Sequence, residues 1–326
     1  MTTAAAAWSW LSTPHNADAS GHGKKATASE LPVVIHSVLL AMELALSSGS
    51  AFLLLLISSV IGAAVRSLLR ALLTEEDETS SLPIVAAQLC ETLAFCWGLV
   101  AFMSWFFHRP KREFVRRLTD FGWSGVKTCV VSLVLHSVAV IVLSWWQEQV
   151  EDEMVVVSWK NVEAAVRRPD GSLATVETLQ SLLLAPVKEE LFFRGVIVLV
   201  AINRLQTAKW SAFISSILFA AIHLVNARRL GTRYSSSYVA FQVLWALLVG
   251  LFLALKLAVS GSLVQCLLLH IINNIFALGV AKTIAVDLTR PLTFVSVLSA
   301  LAIYSLAIAR QFELLRCRTR QDRKNV

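Results

Sequence analysis

Apolar runs long enough to cross a bilayer recur along most of this chain, and they restrict its fold to a bundle of membrane-spanning helices. Charged residues make up only 16% of the 326 residues, against about a quarter in an ordinary soluble domain. The runs predict an all-α fold, a polytopic transmembrane helical bundle of about eight spans. The predicted spans are 31–73, 82–107, 126–146, 179–202, 210–225, 234–257, 263–282 and 292–309.

Composition also divides the chain into regions. Residues 1–30, rich in Ala, Ser and Thr, are predicted to form a disordered N-terminal tail. An N-terminal transmembrane region (31–160) and a membrane core that carries the polar motifs (161–311) follow, and a basic C-terminal tail (312–326) ends the chain. The first apolar run is too long for one simple span, and polar residues at its centre leave one tilted helix and two short helices both open.

The net charge of +7 lies largely in loops and near the C-terminus, where Lys and Arg orient membrane helices. We therefore predict a multi-pass integral membrane protein with no nucleic-acid partner. The basic segments Arg109–Arg117 and Arg316–Lys324 are predicted to lie in the cytosol. Three single charges inside apolar runs, Glu43, Glu91 and Lys256, belong to no motif and are interpreted as structural.

Two adjacent carboxylates, Glu189 and Glu190, interrupt the apolar run 179–202. A charge at membrane depth costs about 2.5–3.5 kcal/mol on insertion scales, so such groups usually face a partner or a polar cavity. Arg194 follows Glu190 by four residues and shares its helical face, whereas Glu189 points about 100° away and is free for another task. Pro186 predicts a kink or a widened turn just before the pair.

Two further polar pairs lie in apolar runs of the C-terminal half. Phe219 precedes His223 by four residues, and His270 precedes Asn274 by four, so each pair presents one helical face. A lone His or Asn in a membrane helix more often bonds a neighbouring helix than performs chemistry. Here three separate segments each deliver water-activating or oxyanion-binding groups, and this combination indicates hydrolysis.

The patterns Glu189-Glu190-x-x-x-Arg194, Phe219-x-x-x-His223 and His270-x-x-x-Asn274, in this order, resemble the three-motif signature of the CPBP intramembrane protease family. That family includes the type II CAAX prenyl proteases and bacteriocin-processing, self-immunity (ABI-like) proteins. The resemblance implies a helical membrane protease with a water-filled cavity.

The resemblance also implies a role for each motif residue. Glu189 would be the general base, and His223 would position or activate the water. His270 and Asn274 would hold the oxyanion, while Glu190, Arg194 and Phe219 would support the site.

These residues leave open whether the site binds a metal ion. Glu189, His223 and His270 could form a three-ligand zinc site with an open position. The chain has no His-Glu-x-x-His pair, however, and Asn274 suits an oxyanion hole better than a zinc site. A divalent metal such as zinc and a metal-free glutamate mechanism are both consistent with the sequence.

The leading expectation is an intramembrane endopeptidase that removes the C-terminal tripeptide of prenylated CAAX proteins. Its partners would be the lipid bilayer and a prenylated or other membrane-associated peptide. A eukaryotic CAAX protease would reside in the endoplasmic reticulum. The alternatives are a protease of the same family with another substrate and, from a different class, a non-catalytic or proton-relaying membrane protein. Transporters often carry paired repeats, and this chain has none that is evident in its sequence.

Overall fold

The computed structural model describes residues 33–73, 81–120, 130, 159–168, 170–232, 234–279 and 291–324. The predicted tail 1–30 and nearly all of the predicted span 126–146 lie outside these residues. Every regular element in the described part is a helix, which confirms the all-α prediction. The helices are α1 (Val33–Leu72), α2 (Leu82–Phe106), α3 (Lys111–Thr119), α4 (Trp159–Val166), α5 (175–205, in five segments), α6 (Ala208–Ile222), α7 (Ser236–Ser260), α8 (Leu263–Leu278) and α9 (Pro291–Lys324).

The first apolar run forms one helix, α1, of 40 residues rather than two short helices. Ser47, at the polar centre of the run, is buried, and its Oγ donates a hydrogen bond to the carbonyl of Glu43, one turn earlier, at 2.7 Å. A helix of this length is about 60 Å long, so it exceeds the thickness of a bilayer and must tilt or extend beyond it.

Five helices in the described residues are long and apolar enough to cross a membrane, which confirms a polytopic protein. They are α1, α2, α6 with its 3₁₀ extension, α7 and α9. Helix α8 is apolar but has only 16 residues. The count of about eight spans stays a prediction, since one predicted span is outside the described part and α5 is divided into short segments.

Helix α7 lies at the centre of the described bundle. Of its most apolar stretch, 56% is buried inside the protein, against 11% for α1, which packs on α2 at the periphery. Helix α7 contacts α6, α8 and α9. Gly250 lies where α7 approaches α6 closely, and a Cβ at this position would make tight contacts, 3.1 Å from Phe219 Cδ1 and 3.3 Å from Ser216 Cα.

Helix α5 carries the two glutamates and alternates between α and π geometry. Its segments are Thr175–Leu179 (α), Gln180–Leu184 (π), Ala185–Glu190 (α), Leu191–Ile197 (π) and Val198–Leu205 (α). The N–H of Ala185 donates to the carbonyl of Gln180, five residues back, so the turn before Pro186 is widened as the sequence predicted. The glutamate pair therefore ends a single α-helical segment held between two π-helical segments.

Two of the three single charges that were interpreted as structural have ionic partners in other helices. Glu43 in α1 pairs with Arg204 at the end of α5, and Glu91 Oε1 in α2 lies 2.9 Å from Lys188 Nζ. Because Lys188 directly precedes Glu189, the second pair holds the glutamate-bearing segment of α5 against α2. Lys256, the third of these charges, is buried in α7.

Helices α6 and α9 differ from their predicted spans at the C-terminal end. Helix α6 ends at Ile222, and the chain continues as a 3₁₀ helix from His223 to Arg229. Helix α9 continues without a break beyond residue 309, the predicted end of the last span, to Lys324.

Candidate active site

Glu190 is the residue that joins the first and third motifs. Its side chain is 1% exposed, and its Oε1 lies 2.7 Å from His270 Nδ1 in α8 and 2.9 Å from Arg194 Nη1, one turn further along α5. The contact with Arg194 is the one that the i, i+4 spacing indicates. The contact with His270 connects two helices that are 80 residues apart in sequence.

Arg194 is fully buried and contributes charge and stacking rather than a directed fork of hydrogen bonds. Its guanidinium carbon lies 4.3 Å from the centroid of the Phe219 ring, a cation–π arrangement. None of its side-chain nitrogens has hydrogen-bond geometry to an acceptor in the described residues, although Nη1 approaches Glu190. Glu190 Oε2 is also buried without a hydrogen-bond partner in this part of the chain.

The Phe219 ring packs against both histidines. It packs edge-to-face against His223, with centroids 5.0 Å apart, and against His270, with centroids 5.7 Å apart. The same ring carries the Arg194 guanidinium. The four-residue spacing of the second motif therefore places one aromatic ring under groups from all three motifs.

His223 is half-buried at the junction between α6 and the 3₁₀ helix. Its Nδ1 lies 2.8 Å from the carbonyl oxygen of Phe219. Because a carbonyl only accepts, Nδ1 carries the proton and Nε2 of the neutral ring is left as an acceptor. An imidazole in this state can accept a hydrogen bond from a water molecule.

Glu189 and Glu190 have different environments despite being adjacent. The Glu189 side chain is 29% exposed, and its Oε2 lies 3.7 Å from His270 Nε2. The two ring nitrogens of His270 thus face two carboxylates, a buried one and an accessible one. Of the two, only the accessible one can meet a water or a substrate.

Asn274 lies one turn beyond His270 in α8, and its Nδ2 donates to the carbonyl of Ser181 at 3.0 Å. The π geometry explains why this carbonyl is available. In an α-helix it would accept the N–H of Ala185, but that N–H donates to Gln180, and the next residue, Pro186, has no N–H. Asn274 therefore satisfies a carbonyl that the widened turn released, and its amide has a second N–H to give.

Sequence reasoning missed two features of this region. The Lys188–Glu91 pair supports α5 from the side of α2. Asn273 accepts a hydrogen bond from Trp245 Nε1 at 3.0 Å and lies beside Asn274. The signal available in the sequence was the tandem Asn273-Asn274 in an otherwise apolar helix, because two amides at membrane depth need partners.

The candidate zinc ligands do not form a metal-binding group. Glu189, His223 and His270 are all described, and no cluster of three or more His, Cys, Asp or Glu side chains in the described residues could hold a metal ion. The Nδ1 atoms of both histidines are directed at a backbone carbonyl and at Glu190, which leaves each Nε2 to face a water, a substrate or a metal ion. The chemistry below is derived from the side chains alone.

Six of the seven motif residues are thus linked through direct contacts, and the seventh, Asn274, lies one helical turn from His270. Glu189, Glu190 and Arg194 come from α5, Phe219 and His223 from the end of α6, and His270 and Asn274 from α8. The arrangement offers an accessible carboxylate beside an imidazole, with an amide donor one helical turn away. These are the groups of a general base and of an oxyanion site.

Comparison with known proteins agrees with the motifs. Residues 171–276 match the family model described as Type II CAAX prenyl endopeptidase Rce1-like. The match includes all seven motif residues and confirms the resemblance to the CPBP intramembrane protease family. No curated protein matches the chain. No solved structure matches it either.

Proposed function

Since residues 171–276 match the family model described as Type II CAAX prenyl endopeptidase Rce1-like, we propose that this chain is an intramembrane endopeptidase that removes the C-terminal tripeptide of prenylated CAAX proteins. The observation that carries the proposal is the line of contacts from Glu189 through His270 to Glu190 and Arg194. It pairs an accessible carboxylate with an imidazole that a buried ion pair orients.

Glu189 acts as the general base. It takes a proton from a water molecule, the water oxygen forms a bond to the carbonyl carbon of the scissile peptide, and a tetrahedral intermediate results. The C–N bond then breaks, and Glu189 returns the proton to the leaving amine. A positioned general base contributes about 10²–10⁴-fold to such a step. Nε2 of His223, left as an acceptor by its Nδ1 contact, holds the second hydrogen of the water.

Asn274 and His270 stabilise the oxyanion. The amide of Asn274 retains one N–H beyond the one given to Ser181. When both ring nitrogens of His270 carry a proton, Nε2 can donate to the oxyanion while Nδ1 donates to Glu190. Each such donor is worth about 10²–10³-fold in kcat.

Glu190 and Arg194 orient His270 rather than react. Both side chains are buried, and Glu190 Oε1 contacts Arg194 and His270 together. A carboxylate that fixes one ring nitrogen determines which nitrogen faces the reactants, as in other acid–histidine pairs.

The location expected for the enzyme is a cellular membrane with the site open to the cytosol, which is the endoplasmic reticulum in a eukaryotic cell.

The test is cleavage by the purified protein in nanodiscs. A fluorogenic peptide with a prenylated Cys and a C-terminal tripeptide is compared with the same peptide without the prenyl group, each with and without a chelator. We expect tripeptide release from the prenylated peptide alone, at an unchanged rate with chelator. Equal cleavage of both peptides would contradict the prenyl specificity and favour another membrane-associated substrate. Loss with chelator and recovery with zinc would contradict the metal-free chemistry. No cleavage of either peptide, while the protein melts cooperatively, would contradict the CAAX activity.

A further inference from the structure

Asn273 lies between the candidate oxyanion residue and two helices that have no motif. Its Oδ1 accepts from Trp245 Nε1 of α7 at 3.0 Å and from the Tyr304 hydroxyl of α9 at 3.4 Å. Its Nδ2 lies 3.5 Å from Asn274 Oδ1. The Trp245 and Tyr304 rings pack edge-to-face with centroids 4.6 Å apart, so the two donors are themselves held together.

The partners determine the orientation of both amides. An indole N–H can only donate, so the oxygen of Asn273 must face Trp245 and its NH₂ group must face Asn274. The carbonyl of Ser181 can only accept, so the NH₂ group of Asn274 must face Ser181 and its oxygen must face Asn273. The hydrogen bonds therefore run in one direction, from Trp245 through Asn273 and Asn274 to Ser181.

We propose that Asn273 is a positioning residue that fixes the amide of Asn274, so that the remaining N–H of Asn274 is presented to the oxyanion. The inference rests on the proposed function, in which Asn274 is an oxyanion donor. It extends the site to α9, which lies beyond the residues 171–276 that match the family model. Without Asn273 the oxygen of Asn274 has no donor in this chain of contacts, and the amide can rotate about its side-chain torsion.

The decisive variant is Asn273→Asp. A carboxylate still accepts from Trp245 and Tyr304, but it has no N–H for Asn274 Oδ1, and its charge repels that oxygen. We expect kcat to fall at least about tenfold, and KM to stay within about twofold of the wild-type value. The fall in kcat should not exceed the loss of about 10²–10³-fold that is expected when an oxyanion donor itself is removed. The matched control is Asn226→Asp. Asn226 donates one side-chain hydrogen bond, to Gln242, and does not belong to the hydrogen-bonded series from Trp245 to Ser181. We expect this substitution to leave kcat unchanged.

A double variant separates positioning from a general structural effect. If Asn273 acts only through Asn274, the kcat of Asn273→Asp/Asn274→Ala equals that of Asn274→Ala alone. Losses that multiply would overturn the proposal. So would a wild-type kcat for an Asn273→Asp protein that melts at the wild-type temperature in detergent.

If Asn273→Asp does not fold, Trp245→Phe decides the question, because it keeps an aromatic ring and removes the indole donor. A fall in kcat of several-fold without a change in KM supports the proposal, and an unchanged kcat overturns it. Failure of the proposed function is distinguishable, since the wild-type protein would then cleave no prenylated peptide or a Glu189→Ala protein would cleave it equally well. The inference about Asn273 would be refuted, and the proposed function kept, by three results together: the wild-type protein cleaves, the Glu189→Ala protein does not, and the Asn273→Asp protein cleaves like wild type.

Discussion

Replacement of Arg194 by alanine should destabilise the protein strongly, because it leaves a buried carboxylate without its cation. The Arg194 and Glu190 side chains are 0% and 1% exposed, with 2.9 Å between Nη1 and Oε1. At an effective dielectric constant of about 20, two unit charges at this distance attract by about 6 kcal/mol. His270 still contacts Glu190, so we expect the smaller loss of about 3–5 kcal/mol that is typical of breaking a buried pair.

The assay is thermal unfolding of the purified variants in one detergent, with cleavage measured in parallel. At the unfolding entropy per residue of soluble proteins, Arg194→Ala should lower the Tm by about 4–7 °C. Glu190→Gln in the Arg194→Ala background should recover part of this loss, because it removes the stranded charge. Arg194→Lys should recover less than the wild-type stability, since an ammonium cannot stack on Phe219 as a planar guanidinium does.

The matched control is Arg310→Ala. Arg310 pairs with Glu313 at 3.1 Å within one helix, but the two side chains are 66% and 64% exposed. Exposed pairs contribute little, so the control should melt within about 1 °C of wild type. If Arg194→Ala melted with the control, the buried ion pair would not stabilise this fold, and the account of Glu190 as a fixed support for His270 would be wrong.

Three further results are expected. Gly250→Ala should lower both the Tm and the turnover, because the added methyl group would lie 3.1 Å from Phe219 Cδ1. The control Gly49→Ala places a methyl group with nothing within 4 Å and should melt at least as high as wild type. Equal effects of the two substitutions would refute the close helix approach. Asn274→Ala should reduce kcat about 10²–10³-fold with little change in KM, and a raised KM alone would instead indicate substrate binding. In a variant that keeps Cys317 as its only cysteine, a membrane-impermeant maleimide should label this exposed residue in sealed cytosolic-side-out vesicles. Labelling only after the vesicles are opened would show that the predicted topology is reversed.

Much of the site follows from spacing within single helices. The i, i+4 rule placed Glu190 beside Arg194 and Phe219 beside His223, and both contacts are present. The contact of His270 with Glu190 did not follow, because it joins helices that are far apart in sequence. Periodicity describes the faces of one helix and does not say which faces meet.

The backbone of α5 shows a second limit of sequence reasoning. Pro186 predicted a widened turn, but not that the released carbonyl of Ser181 would be bonded by Asn274. The pairing of Glu91 with Lys188 and the contacts of Asn273 were missed for a related reason. A buried polar residue indicates that a partner exists, while the partner's identity depends on how the helices pack.

The account depends most directly on Glu189, and the measurement that tests it is the turnover of a prenylated CAAX peptide by the Glu189→Gln protein. Glutamine keeps the size and shape of the side chain and removes the base. Glu177→Gln, at an exposed carboxylate in the first segment of α5, is the matched control. We predict that Glu189→Gln lowers kcat by about 10²–10⁴-fold at an unchanged Tm, while Glu177→Gln cleaves like wild type. Wild-type turnover by a correctly folded Glu189→Gln protein would contradict the assignment of Glu189 as the general base.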